Sequence, residues 1–221
     1  MIRSWWKRLA LAAALLLAAA GALIWLYSDW LAAQAYKLVL EEPSRVASLQ
    51  IDRVIETLEI GPGRLLADLG AGTGVFTRPF AQALDGDGIV YAVDVNSELL
   101  EHIESSAQEQ GIGNIRTVLA ANDDPRIPEP VDLIFICDTL HHISDRDAYV
   151  ATLRRYLKPG GRVAVIDFRV GESPHMTRSM KYSLEELDNW MEHAGYAPGG
   201  RHGFLGDNFF VVYRCDSCPD P

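Results

Sequence analysis

Cysteine is scarce, with three in 221 residues, too few for a disulfide-built scaffold. Cys137 lies in an apolar run and reads as core. Cys215 and Cys218 form a C-x-x-C near the end, with no second pair to complete a zinc site. They are two free thiols or a disulfide. No cluster has metal-ligand spacing, so no metal is expected. Positive charge is scarce too, at a formal net charge of −10. Residues 1–40 hold Arg3, Lys7, Arg8 and Lys37 against Asp29, which makes +3, so the remaining 181 residues carry −13. That balance does not suit a phosphate backbone, and no nucleic-acid partner is expected. Internal repeats are absent, and the only biased tract is the Ala/Leu-rich N-terminus.

The N-terminus holds the one long hydrophobic run. Leu9 to Tyr27 carries no charge, and a helix of that length spans roughly 28 Å, close to a bilayer's hydrocarbon core. Trp5, Trp6, Trp25 and Trp30 stand at its two ends as an aromatic belt would. Residues 1–35 are therefore expected to be a single-pass membrane anchor through 9–27. The alternative is a signal segment, with the chain exported after cleavage at Ala18-Ala-Ala20 or Ala33-Gln-Ala35. Either way, Arg3, Lys7 and Arg8 favour sending the rest across the membrane.

After a polar break at Glu41–Arg45, apolar positions at helical spacing predict a helix over 44–58. Beyond it strands alternate with helices. Strands are expected at 65–69, 89–95, 115–120, 131–137 and 162–166. Helices are expected at 75–84, at 97–110 with Ser97 as N-cap, and at 145–157. Such alternation means βαβ units and a mostly parallel sheet. A helix over 183–194, opened by a Ser183/Glu186 capping box, a Gly199-Gly200 turn and a β-rich run at 208–213 predict a C-terminal antiparallel hairpin. The fold class is α/β: a Rossmann-like, doubly wound sheet preceded by the hydrophobic helix.

The chain is organised around Leu65-Leu-Ala-Asp-Leu-Gly-Ala-Gly-Thr-Gly-Val75, a strand, a glycine turn and a helix start. Such a turn lets backbone approach a ligand near the free N–H groups of a helix N-terminus. Asp68 would repel a pyrophosphate there but attract a positive centre; the plainer reading is a turn cap. Asp94 ends the second strand about 20 residues on, where a carboxylate holds ribose hydroxyls. A dinucleotide site wants glycine at 75, where this chain has Val, which counts against an NAD-dependent oxidoreductase.

Asp68-Leu-Gly-Ala-Gly-Thr-Gly74, Asp94, Asp132-Leu-Ile-Phe-Ile-Cys-Asp138, His141-His142-Ile143 and Leu157-Lys-Pro-Gly-Gly161 together resemble a class I S-adenosylmethionine-dependent methyltransferase. The resemblance implies such a domain over 43–214, with a tail at 215–221. It implies that Gly70, Ala71, Gly72, Thr73 and Gly74 wrap the methionine moiety, with Asp68 on its ammonium side. Asp94 would bind the ribose, Asn122 and Asp123 would flank the adenine, Asp138 would lie near the transferring methyl, and Val95 is counted among the cofactor-binding residues. Many relatives have Gly-Asp-Ala where this chain has Ala120-Ala-Asn-Asp123. His141 and His142 each offer a base, as does His175 more weakly; the plainer reading is a histidine bonded to backbone. Acceptor walls are expected from 139–143, from 168–182 with Phe168, Met176, Arg178, Met180, Lys181 and Tyr182, and from the helix before the first strand. These suit a small, partly apolar acceptor, and the membrane segment makes a lipid-soluble, quinone-like or isoprenoid one worth testing. The competing reading is a non-catalytic S-adenosylmethionine-binding protein.

Overall fold

Seven strands make one sheet: β1 (Leu65–Leu69), β2 (Ile89–Asp94), β3 (Ile115–Leu119), β4 (Val131–Cys137), β5 (Leu157–Phe168), β6 (Ala197–His202) and β7 (Asn208–Arg214). Their order is β3-β2-β1-β4-β5-β7-β6. The first five run parallel, and β7 is antiparallel to both β5 and β6. The chain order reverses between β1 and β4, and such a switch point opens a crevice at the strands' carboxyl ends. The computed structural model describes residues 2–169, 177 and 180–218. In its first two helices the side chains described are Trp5, 12–28, Trp30 and 34–40.

The apolar runs become central strands because both sheet faces are covered. In β4, Ile134 and Ile136 join a core with Val150, Leu153, Leu187 and Met191, beneath α7 (Arg146–Leu153) and α8 (Leu184–His193). The alternate residues Leu133 and Phe135 join Val54, Leu58, Phe80 and Phe210 on the other face. That face is covered by α4 (Ile51–Leu58) and α5 (Thr77–Ala83). Phe135 meets Phe76 and Phe80 with ring centroids 4.6 and 4.9 Å apart.

Several expected elements shift. The single helix over 44–58 is two, α3 (Pro43–Ser48) and α4, parted by Gln50 in the left-handed region (φ 46°). Helix α6 (Ser97–Glu109) is capped by Asn96, not Ser97: the Asn96 Oδ1 accepts from the backbone N–H groups of Glu98 and Leu99. The helix after β4 stops at Leu153 and continues as a 3-10 turn, Arg154–Tyr156. Strand β5 extends back through Lys158-Pro-Gly-Gly161. Gly199 and Gly200 are no turn but part of β6, where the register slips between Pro198 and Gly200. The Ser183 capping box forms as expected. Cys215 and Cys218 are joined as a disulfide.

The N-terminal run forms α1 (Ile2–Leu26), followed by α2 (Ser28–Leu40). The expected membrane span is not met among the described residues, where no helix is long and apolar enough to cross a membrane; the described side chains of α1 are Trp5 and 12–26. Those of Leu15, Leu16, Leu17 and Trp25 are exposed. His175, Met176 and Arg178 lie outside the described residues.

Candidate functional site

Backbone geometry builds the site first. β1 ends at Leu69, and Gly70, Gly72 and Gly74 follow at φ +75°, +56° and +79°. The Gly70 and Ala71 N–H groups donate to the Val93 carbonyl, tying the turn to β2. A Cβ on Gly70 would fall 2.1 Å from Thr139 Oγ1, so only glycine fits against the end of β4. Gly74 faces away from the crevice, where a Cβ would meet Arg78 and Ile103 at 3.0 Å.

A cavity of about 930 Å³ opens over this turn. That is near the top of the usual range for a ligand pocket, roughly 300–1,000 Å³. Of the residues expected to bind cofactor, Asp68, Gly70, Ala71, Gly72, Thr73, Asp94, Val95, Asn122, Asp123 and Asp138 all line it, whereas Gly74 does not. Gly74 is a packing glycine instead, allowing close approach of Arg78 and Ile103.

Asp68 is buried, and Thr77 Oγ1 donates to its Oδ2 at 2.5 Å. Burial, with a smaller push from Asp94, raises its carboxyl to about 7. Asp94 sits at the mouth of the turn, accepting from the Gly72 N–H at 2.8 Å and the Asn96 N–H at 3.0 Å. Thr73 Oγ1 is buried with no hydrogen-bond partner. A buried hydroxyl left so costs about 1–3 kcal/mol, and here it lines the cavity. An orphaned hydroxyl and a carboxyl strained toward neutrality, both at the glycine turn, fit a ligand with a polar, positively charged end.

Asp138 stands at the end of β4 with φ 49°, a conformation that strains a non-glycine residue. Its carboxylate accepts from Arg45 Nη2 at 2.7 Å and Asn208 Nδ2 at 3.2 Å. Burial pushes its carboxyl up and Arg45 offsets part of that.

The two histidines part company. His142 lines the cavity, and burial, then the neighbouring His141, lowers its pKa. His141 is buried and outside the cavity wall, its Nδ1 2.8 Å from Asp167 Oδ1. Asp167 also accepts from the Tyr182 hydroxyl and the Phe168 N–H, both at 2.8 Å. His141 is thus held in an internal network with Asp167 and lies off the cavity wall, which leaves His142 as the histidine that lines it. Its ring lies 4.2 Å from that of His142, between centroids.

Arg45 and Leu49 fall in the segment expected as acceptor wall and do line the cavity, from α3 and the loop after it; sequence reasoning missed Tyr36 and Leu40, which line it from α2. Leu40 Cδ1 rests 3.0 Å from where a Cβ on Gly72 would stand. Glu41 pairs with Arg78 at 3.6 Å and His102 at 3.3 Å. The segment thus straps across the glycine turn. For α2 the polar break at Glu41–Arg45 that ends it was the one signal. Among the described residues no group of three or more His, Cys, Asp or Glu is gathered as a metal site.

This strand order, glycine turn and switch-point cavity define a nucleoside-binding α/β domain, and comparison with known proteins narrows it. Residues 66–161 match a family model described as a methyltransferase domain. The chain is 34% identical over 116 residues to the ubiquinone/menaquinone biosynthesis C-methyltransferase UbiE of Shewanella halifaxensis, covering 52% of this chain and 46% of that protein. The UbiE of Cupriavidus metallidurans is 31% identical over 153 residues, covering 67% and 61%. The chain thus spans about half the length of the first of these relatives. A crystal structure of a SAM-dependent methyltransferase from Aquifex aeolicus superposes with a TM-score of 0.74 at 25% identity, over 82% of this chain and 97% of that one. Together these similarities support a class I S-adenosylmethionine-dependent methyltransferase domain in this chain, with S-adenosylmethionine as its cofactor.

Proposed function

We propose that the chain transfers a methyl group from S-adenosylmethionine to a small lipophilic acceptor of the quinone class, at a membrane surface. One observation carries this reading. The cavity lined by the cofactor-type residues is lined as well by His142 and by the strap, and its volume of about 930 Å³ is near the top of the usual range for a ligand pocket. The relatives named for ubiquinone and menaquinone biosynthesis motivate the acceptor class.

In this reading Asp68 and the orphaned Thr73 hydroxyl meet the methionine end of the cofactor. Asp94 holds the ribose once its carboxylate turns from the Gly72 N–H, and Asn122 and Asp123 flank the adenine. When bound, S-adenosylmethionine supplies an electrophilic methyl already activated as a sulfonium, so the chain's main task is in-line placement of the acceptor. His142, with its pKa lowered by burial, stands neutral at pH 7 and takes the proton the acceptor gives up.

The membrane part of the proposal rests on α1, whose described face exposes Leu16, Leu17, Ile24 and Trp25. The positive residues before it favour a domain outside the cytoplasm. The Cys215–Cys218 disulfide supports that side, since disulfides persist in oxidising compartments. A signal segment removed after export is the alternative. A reporter fused after Pro221, active on only one face of the membrane, decides the side, and fractionation with soluble protein alone rules out the anchor.

Calorimetric titration with S-adenosylmethionine, then turnover to S-adenosylhomocysteine across a panel of quinols, tests the whole reading. No heat would sink it. Binding without turnover on any acceptor would leave the non-catalytic reading in its place.

A further inference from the structure

The cavity wall is charged unevenly. Asp68, Asp94, Asp123, Asp138 and Asp145 face it, and among the described residues lining it Arg45 is the one arginine or lysine. An acidic wall suits a cationic cofactor, but a guanidinium in the same wall does not and needs its own account. Arg45 reaches in from α3, donating to the Leu40 carbonyl at 2.9 Å and to Asp138 at 2.7 Å. Those bonds use two of a guanidinium's five N–H donors, and the side chain keeps a quarter of its surface open. Asp138 has a second donor in Asn208, so it stays satisfied if Arg45 turns to a ligand. Beside Arg45 the wall is apolar, formed by Tyr36, Leu40 and Leu49.

A positive group next to an apolar collar, with a neutral imidazole in the wall of the same cavity, selects one acceptor chemistry. We propose that Arg45 is an acceptor-binding residue that meets the ionised hydroxyl oxygen of a hydroxy-aromatic acceptor, whose apolar substituent lies along Tyr36, Leu40 and Leu49. The hydroxyl O–H bond breaks with its electron pair left on oxygen, and the proton passes to the His142 imidazole. Arg45 holds the resulting negative charge, which raises electron density on the ring carbon that would take the methyl; the electron pair of the broken methyl–sulfur bond would stay on sulfur, and the proton on that carbon would leave to water as the ring regains aromaticity. The inference rests on the reading that the cavity takes a lipophilic acceptor beside the cofactor.

The test uses the full chain in detergent, loaded with S-adenosylhomocysteine, and two probes: a farnesyl-substituted hydroquinone and its dimethyl ether. The wild type should bind the hydroquinone about tenfold more tightly than the ether, with the preference growing as pH rises. R45Q should erase that preference and R45K keep part of it. L49A should weaken both probes alike. Affinity for S-adenosylhomocysteine should stay within about threefold in every variant. Equal binding of the two probes to the wild type, binding of neither, or a preference that survives in R45Q overturns the assignment. If R45Q cannot load S-adenosylhomocysteine whereas R45K can, Arg45 is only a latch for the strap and the assignment also falls. Failure of the wild type itself to bind S-adenosylhomocysteine would instead remove the cofactor reading beneath it.

Discussion

Binding of S-adenosylmethionine should expel a proton, and the proton should come from Asp68. Burial holds the Asp68 carboxyl at about 7, so in the free protein it is roughly nine-tenths protonated at pH 6 and half protonated at pH 7. An ammonium group docked beside it favours the carboxylate. Binding should then release about 0.9 proton at pH 6, about 0.5 at pH 7 and about 0.1 at pH 8. The same linkage makes affinity climb about tenfold from pH 6 to pH 8. The assay is calorimetry in buffers of different ionisation enthalpy, where the observed heat varies with buffer in proportion to the protons released. The ligand's own amino group, ordinarily near about 8, must stay protonated and pulls affinity down at higher pH. Asp68→Asn separates the two effects. It keeps an acceptor for Thr77 Oγ1, loses the Asp68 proton and leaves the ligand's titration untouched. Proton release at pH 6 that is equal in wild type and Asp68→Asn would refute the argument and return Asp68 to the role of a turn cap.

The same burial predicts that stability without ligand falls as pH rises. A carboxyl whose folded value is raised stabilises fully below its ordinary value and loses that contribution as pH climbs through about 7. Denaturant titrations of Asp68→Asn should remove that slope, worth up to roughly 4 kcal/mol. Gly70→Ala should abolish cofactor binding, because its Cβ collides with Thr139 at a φ of +75°; unchanged affinity would mean that the turn relaxes freely. Asp167→Asn should cost on the order of 3 kcal/mol by urea unfolding, since it weakens a buried acceptor shared by His141, Tyr182 and the Phe168 N–H. Reducing Cys215–Cys218 should cost no more than about 2 kcal/mol, because the closed loop is only a few residues long. A larger loss would show that the bridge holds more than the tail.

The central sheet was legible because its two burial faces write themselves into the sequence. Runs such as Leu133–Cys137 are apolar throughout when both faces are covered, and the glycine turn is marked by the positive φ that Gly70 and Gly72 adopt. Local rules failed where a cap or break depends on a single residue's competition with its neighbour. Asn96 and Ser97 are both good caps, and nothing local favours one of them. Gln50 breaks a pattern of apolar residues that keeps helical spacing on both sides of it. His141 and His142 are adjacent and alike in sequence. Only Asp167, 26 residues away, draws one into the core and leaves the other on the cavity wall.

The meeting of Arg45 with Asp138 was illegible for a related reason. Arg45 and Asp138 are 93 residues apart, and neither carries a mark of the other. Each sits at a place that local reasoning explains away: Arg45 in a polar break, and Asp138 at a strand end where a family role was already to hand. What the fold adds is their meeting over the glycine turn, with Leu40 pressed against Gly72 and Glu41 held by Arg78 and His102. The strap is held on the glycine turn through Glu41, which pairs with Arg78 and His102. Weakening it through Glu41→Gln, which spares every residue lining the cavity, should therefore leave the sheet's stability within about 0.5 kcal/mol, as for an exposed ion pair. It should instead speed release of S-adenosylhomocysteine, read by stopped-flow fluorescence. A release rate that does not change would mean that the strap is fixed wall, and that ligands pass without its moving.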